Sequence, residues 1–167
     1  MTRSPGPITE EQRALIEAAQ IFFVASVHPH LEPGPDGQGP LNLSPKGGVP
    51  LHVIDEHRVA YLDYRGSGNE TARHAAADGP VTVMVMSIDG EDAAIVRLYG
   101  RARITPIDES PLSERLLARP AESIGLPQRH IVEIDVDSTA TSCGYGVPVL
   151  EFRADRTKAG RGRRYKA

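Results

Sequence analysis

Apolar positions recur at every second residue along much of this chain, a period that belongs to β-strands. From Ala94 to Thr105, Val96, Leu98, Gly100, Ala102 and Ile104 share one face, and Arg97, Tyr99, Arg101 and Arg103 share the other. From Arg129 to Asp137, Val132, Ile134 and Val136 face one way, and Glu133, Asp135 and Asp137 the other. The two apolar faces should line one interior. The basic and acidic faces complement each other if the strands pair, each opposite pair contributing roughly 0.2–1 kcal/mol. The run Val81-Thr82-Val83-Met84-Val85-Met86 is apolar on both faces. Both sides must therefore be covered, one by the interior and the other by a helix or a second subunit.

The remaining pattern adds shorter strands and three helices. Ile21 to Val27 is aromatic and β-branched, Leu41 to Lys46 can extend, and Leu51–Ile54 and Arg58–Tyr64 flank the polar turn Asp55-Glu56-His57. Thr9-Glu10-Glu11-Gln12 has the form of a capping box, so a helix runs from Thr9 to about Ala19. Further helices are expected over Asn69–Asp78 and Glu109–Ala118. Residues 28–40, rich in proline and glycine, form a loop. Five or six strands joined mostly by short turns predict a closed antiparallel barrel, with an open α+β sheet as the alternative.

Composition narrows the class. At 167 residues with 40% hydrophobic and 25% charged positions, the chain fits one globular domain. Cys143 is the only cysteine, which favours a reducing compartment. The first residues lack the apolar core of a signal peptide and no apolar run suits a membrane span, so a cytoplasmic protein is expected. The net charge is −3, but residues 156–167 hold six cations and no acid, leaving 13 basic against 22 acidic residues in the body. Glycines punctuate that end and its one aromatic, Tyr165, makes no series for base stacking, so it reads as a solvated tail rather than a nucleic-acid arm. The expected organisation is a flexible N-terminus over 1–8, a domain over 9–153 and a basic, disordered tail over 154–167.

Three segments carry candidate chemistry. In Asn42-Leu43-Ser44-Pro45-Lys46-Gly47, Pro45 stiffens the backbone, Ser44 offers a hydroxyl and Lys46 an ammonium for an anion; a surface hairpin edge has the same residues. In Gly66-Ser67-Gly68-Asn69-Glu70-Thr71-Ala72-Arg73, a glycine turn leads into a helix start, where free N–H groups can seat a phosphate. Ser67, Asn69, Thr71 and Arg73 would assist and Glu70 would oppose, while plain capping explains the residue types equally well. In Ser142-Cys143-Gly144-Tyr145-Gly146-Val147-Pro148, two glycines and a proline shape a backbone that a planar ligand can approach. Cys143 reads as a buried, inert thiol. No metal site, Walker loop, dinucleotide fingerprint or serine-hydrolase elbow is present.

The order of these segments is more specific than any one of them. Phe22-Phe23-Val24-Ala25, the Asn42–Gly47 segment, Val59–Tyr64, Gly66–His74, Arg97–Gly100 and Ser142–Pro148 together resemble the pyridoxamine 5′-phosphate oxidase-like family of FMN-binding proteins over about residues 10–150. The resemblance implies a mainly β fold, an antiparallel split β-barrel with flanking helices, that forms a homodimer with FMN in clefts between subunits. It implies a cofactor site drawn from Asn42, Ser44, Pro45, Lys46, Gly66, Ser67, Asn69, Thr71 and Arg73. Ser142, Cys143 and Tyr145 would lie near the flavin, supplied by the partner subunit. The Arg-x-His-type segment by which true pyridoxamine-phosphate oxidases hold their substrate is absent, which argues against oxidation of vitamin B6. The expected activity is that of an FMN-dependent oxidoreductase acting on a small-molecule redox substrate that the sequence does not name, with no assignable catalytic residue. A non-catalytic flavin binder or sensor, and a relative using a deazaflavin or haem, are the alternatives.

Overall fold

The computed structural model describes residues 2–4, 6–34, 37, 39–64, 68–90, 93–118 and 128–156. Its strands are β1 (Thr2–Ser4), β2 (Ile21–Val27), β3 (Leu41–Gly47), β4 (His52–Asp55), β5 (Arg58–Tyr64), β6 (Pro80–Met86), β7 (Ala94–Pro106) and β8 (Gln128–Cys143). Every ladder is antiparallel, in the order β3-β2-β6-β7-β8-β5-β4, with β1 added to β8. Among the described residues three helices accompany the sheet: α1 (Glu10–Ala18), α2 (Glu70–Ala76) and α3 (Ser113–Leu117).

The period-two pattern builds the core as expected. Val24, Val83 and Leu98 lie in one register row, Phe22, Val85 and Val96 in the next, and all six are buried. Across the barrel, Val59 and Tyr61 oppose Ile134 and Val132, also buried. Full burial of each such side chain contributes roughly 1.5–3 kcal/mol. The expected charge complementarity is present too: Arg101 is in register with Asp135 and Arg103 with Glu133. The Glu133 carboxylate, itself buried, lies 3.5 Å from Arg103 and 3.7 Å from Arg58.

One irregularity shapes β8. Tyr99 pairs with Ser138 but Gly100 pairs with Val136, so Asp137 is an extra residue on β8. The bulge shifts the parity of the inner face from Val132, Ile134 and Val136 to Thr139 and Thr141, which oppose Leu98 and Val96. The strand therefore continues to Cys143 although its apolar alternation breaks at 137.

Helices α1 and α2 pack against strands of the sheet, α1 on β4, β6 and β7 and α2 on β2, β6 and β7. The capping box of α1 forms as expected: Gln12 N–H donates to Thr9 Oγ1 at 3.3 Å and Thr9 N–H to Gln12 Oε1 at 3.1 Å. The same Gln12 side chain donates to Thr139 and Thr141 hydroxyls at 3.2 and 3.0 Å, tying α1 to the inner face of β8.

Four expectations are corrected. The barrel is not closed: among the described residues no ladder joins the edge strands β3 and β4, and Pro45 removes one N–H from edge strand β3. Residues 2–4, placed in a flexible N-terminus, pair with Thr139–Thr141 instead. The helix expected over 109–118 is shorter, a 3-10 turn at Ile107–Glu109 followed by α3, because Pro111 interrupts the run. Cys143 is exposed rather than buried, since it ends a strand beside an exposed turn.

Candidate functional site

The open side of the barrel is bridged by side chains, not by a ladder. On β3, alternation turns Asn42, Ser44 and Lys46 to the inner face, in register with the buried Ser26, Val24 and Phe22 of β2. Pro45, also a candidate contact, takes the opposite parity and is exposed, stiffening the backbone between Ser44 and Lys46. On β5, Val59, Tyr61 and Asp63 share the inner face, and on β8 His130 continues the stripe of Val132 and Ile134. The gap is crossed where the Lys46 ammonium meets Asp63 Oδ1 at 2.6 Å and Tyr64 Oη donates to the Gly48 carbonyl at 3.0 Å.

Asp63 is the hub. Its second oxygen lies 3.2 Å from His130 Nε2 and 3.9 Å from the Arg129 guanidinium. Burial pushes the Asp63 carboxyl up, but the His130 hydrogen bond and the Lys46 ammonium outweigh it and hold the group below its usual range. The cations Lys46 and Arg129 against the one anion Asp63 leave this cluster net positive, and it is largely shielded from water. Arg129 also donates to Asn69 Oδ1 and to the Tyr64 and Gly68 carbonyls, pinning the approach to α2. Two buried polar atoms here have no hydrogen-bond partner among the described residues, Tyr61 Oη and Arg129 Nε. Burial, with the Asp63 charge beside it, raises the Tyr61 hydroxyl far above the ordinary tyrosine value, so it stays a neutral O–H.

A neutral hydrogen-bonded chain runs from the mouth inward. Asn42 donates to Ser44 Oγ at 3.1 Å and to Thr71 Oγ1 at 3.4 Å; Ser26 Oγ meets Thr71 Oγ1 at 3.5 Å and His74 Nδ1 at 2.9 Å. His74 is buried. That burial, reinforced by the Arg73 and His28 charges, lowers its affinity for a proton despite the opposing Glu70. The unfolded chain takes up this proton near the ordinary value of about 6.5, the folded chain only at lower pH. Stability is thus complete above the unfolded value and is lost as pH falls through the window below it. Thermal unfolding followed by circular dichroism is expected to show a midpoint that drops from about pH 7.5 to about 5.5, with a shallower drop in His74→Gln.

The other sequence candidates divide. Thr71 joins the chain just described and Asn69 meets Arg129, while Gly66 and Ser67 lie outside the described residues. Arg73 turns away, its guanidinium against Gly34 and 4.0 Å from Glu70. The Glu70 carboxylate folds back over Gly68, so an acid stands where the helix start was expected to receive a phosphate. Asn69 makes no side-chain cap. Ser142 and Cys143 end β8 at the opposite end from Arg129 and His130; Ser142 accepts from Arg97, and Tyr145 is 87% exposed. The structure does not bring this trio to the Lys46 cluster within one chain. Asp63, Arg129, His130 and Tyr61 were missed by sequence reasoning, although Asp63 and His130 each continue an otherwise apolar stripe at a strand end; Tyr61 lies in mid-strand and Arg129 is the extra residue at a register shift of β8, where no alternation marks them.

The described residues contain no group of three or more histidine, cysteine, aspartate or glutamate side chains placed to hold a metal, and no helix long and apolar enough to cross a membrane. Residues 8–143 match the family described as pyridoxamine 5′-phosphate oxidase. A pyridoxamine 5′-phosphate oxidase family protein, ustO of Aspergillus flavus, is 30% identical over 138 residues, 81% of this chain. The chain spans about half, 51%, of that relative. Among solved structures, a putative pyridoxamine 5′-phosphate oxidase from Lactobacillus delbrueckii superposes with a TM-score of 0.57 at 18% identity, covering 80% of this chain and 93% of its own. An FMN-binding protein from Syntrophomonas wolfei gives 0.55 at 15%, covering 77% and 82%. At these identities the solved structures establish the split-barrel fold.

Proposed function

This chain belongs to the pyridoxamine 5′-phosphate oxidase family, and from that premise we propose that it is an FMN-binding flavoprotein, an oxidoreductase that works as a homodimer. The observation that carries the reading is the shielded, net-positive cluster of Lys46, Asp63, Arg129 and His130, with donors left over at Tyr61 Oη and Arg129 Nε. Orphaned buried donors are costly unless a ligand satisfies them, by about 1–3 kcal/mol each. An acceptor-rich, anionic ligand fits that demand.

In this reading Lys46 and Arg129 hold the anionic part of FMN, and Asn42, Ser44 and Thr71 supply neutral hydrogen bonds. Asn69 positions Arg129, and Asp63 holds both cations in place until the ligand arrives. FMN, when bound, supplies the electron-transfer chemistry; the chain binds it, orients it and excludes water. Ser142, Cys143 and Tyr145 belong to this site only if a second subunit presents them.

The second subunit has a surface to meet. The outer face of β3, β2 and β6 carries Leu43, Ala25 and Thr82 in one row and Pro45, Phe23 and Met84 in the next. Leu41 and Leu43 are 65% and 62% exposed. α1 and α2 reach the sheet through Thr139, Thr141 and Ser26 on its inner side, leaving this apolar face for a partner copy. Met84→Lys, on the β6 strand of this face, is expected to yield monomer by sedimentation and to weaken FMN at the same time. A Met84→Lys dimer with full FMN affinity would refute this interface.

The function is tested by titrating the purified chain with FMN, following loss of the free flavin's fluorescence, with a deazaflavin and haem in parallel. Saturable binding at micromolar or tighter affinity, with FMN preferred, is expected. NADH or NADPH is then expected to bleach the bound flavin. Binding without bleaching by either donor would leave a flavin carrier, and preference for another cofactor would overturn the assignment.

A further inference from the structure

A second cavity, of about 580 Å³, lies beside the Lys46 cluster and is not used by it. Its volume falls within the roughly 300–1,000 Å³ of small-molecule sites. One wall is the sheet end: Ile21 of β2, Gly47 next to Lys46, Tyr64 next to Asp63, and Ile88 after β6. The other wall is the segment after β8, which returns across the sheet and is anchored where the Leu150 N–H donates to the Ile88 carbonyl at 2.7 Å. That segment contributes Leu150 and Phe152, the latter 46% exposed and lining the cavity opposite Ile21 and Ile88.

The charges at the rim cancel. Glu151 and Asp155 stand against Arg153 and Arg156, all four on the returning segment. A site that selected an anion or a cation would show an excess of one sign. Apolar walls, one half-covered aromatic ring and a neutral rim suit an uncharged ligand recognised by contact area.

We propose that this cavity is a binding site for an uncharged, flat aromatic small molecule, distinct from the flavin site and walled by residues 150–156. The proposal does not rest on the flavin reading, because the two sites use different side chains. The probe is N-phenyl-1-naphthylamine, an uncharged fluorophore that brightens in apolar surroundings, added to the full chain with and without FMN. Saturable, blue-shifted emission at one probe per chain is expected, persisting when FMN is bound. Phe152→Ala and Ile88→Ala, on opposite walls, should each weaken the probe by about tenfold, and Arg153→Gln should leave it unchanged. Flavin fluorescence in the same samples reports FMN binding separately. The proposal is overturned if the probe does not saturate, if neither wall variant weakens it, if FMN displaces it, or if the anionic 8-anilinonaphthalene-1-sulfonate binds more tightly.

Discussion

Replacing Lys46 by methionine is expected to lower FMN affinity by roughly 30- to 150-fold, the loss of one charge-assisted hydrogen bond at about 2–3 kcal/mol. The ammonium is the cation that bridges β3 to β5, at 2.6 Å from Asp63. Methionine keeps much of the stem's apolar bulk, and Asp63 keeps His130 and Arg129 as partners, so the fold should persist. Asp63→Asn provides the opposite sign. It removes the negative charge while leaving Lys46 and Arg129, and FMN should bind at least as tightly as to the parent chain. Titration of both variants by flavin fluorescence checks this pair. Equal losses in the two would point to a damaged fold rather than to charge.

The largest effect on stability is expected at Gly100. A β-carbon there would fall deep inside van der Waals contact of the Asp135 carbonyl oxygen, which is backbone and cannot swing aside. The close approach arises at the bulge, where β8 carries Asp137 as an extra residue. Gly100→Ala must therefore open the ladder between β7 and β8, the two longest strands, at a cost of about 3 kcal/mol or more. For a chain of this size that corresponds to a fall in unfolding midpoint of roughly 6–12 °C. Gly146→Ala, where an added β-carbon meets nothing within 4 Å, is the control and should stay within about 0.5 kcal/mol of the parent. Calorimetry of the two variants separates them. A Gly100→Ala chain as stable as the control would contradict the bulge geometry.

What the sequence disclosed, and what it hid, follows from the range of the signals. Alternation is local, so it located β2 and β5 closely and put Arg101 and Arg103 opposite the acids of β8. The bulge at Asp137 broke the alternation, so the last six residues of β8 went unread as strand. Whether the sheet closes depends on β3 meeting β4, a long-range matter on which no local pattern reports.

The site shows the same division. Asn42, Ser44 and Lys46 were legible because they alternate on one strand, and the same parity turns Pro45 to the other face. Asp63 and His130 sit on two other strands and gain their role only when the split brings Lys46 to them. The expected phosphate seat at the start of α2 depended on where the Glu70 side chain turns, and no spacing rule sets that rotamer.

The central claim is that two copies of this chain pool their residues to hold FMN. Mass spectrometry of the intact assembly under non-denaturing conditions, after incubation with FMN, addresses it in a single spectrum. A dimer carrying two flavins is the result this account expects. A monomer that stays free of flavin at saturating FMN would contradict it.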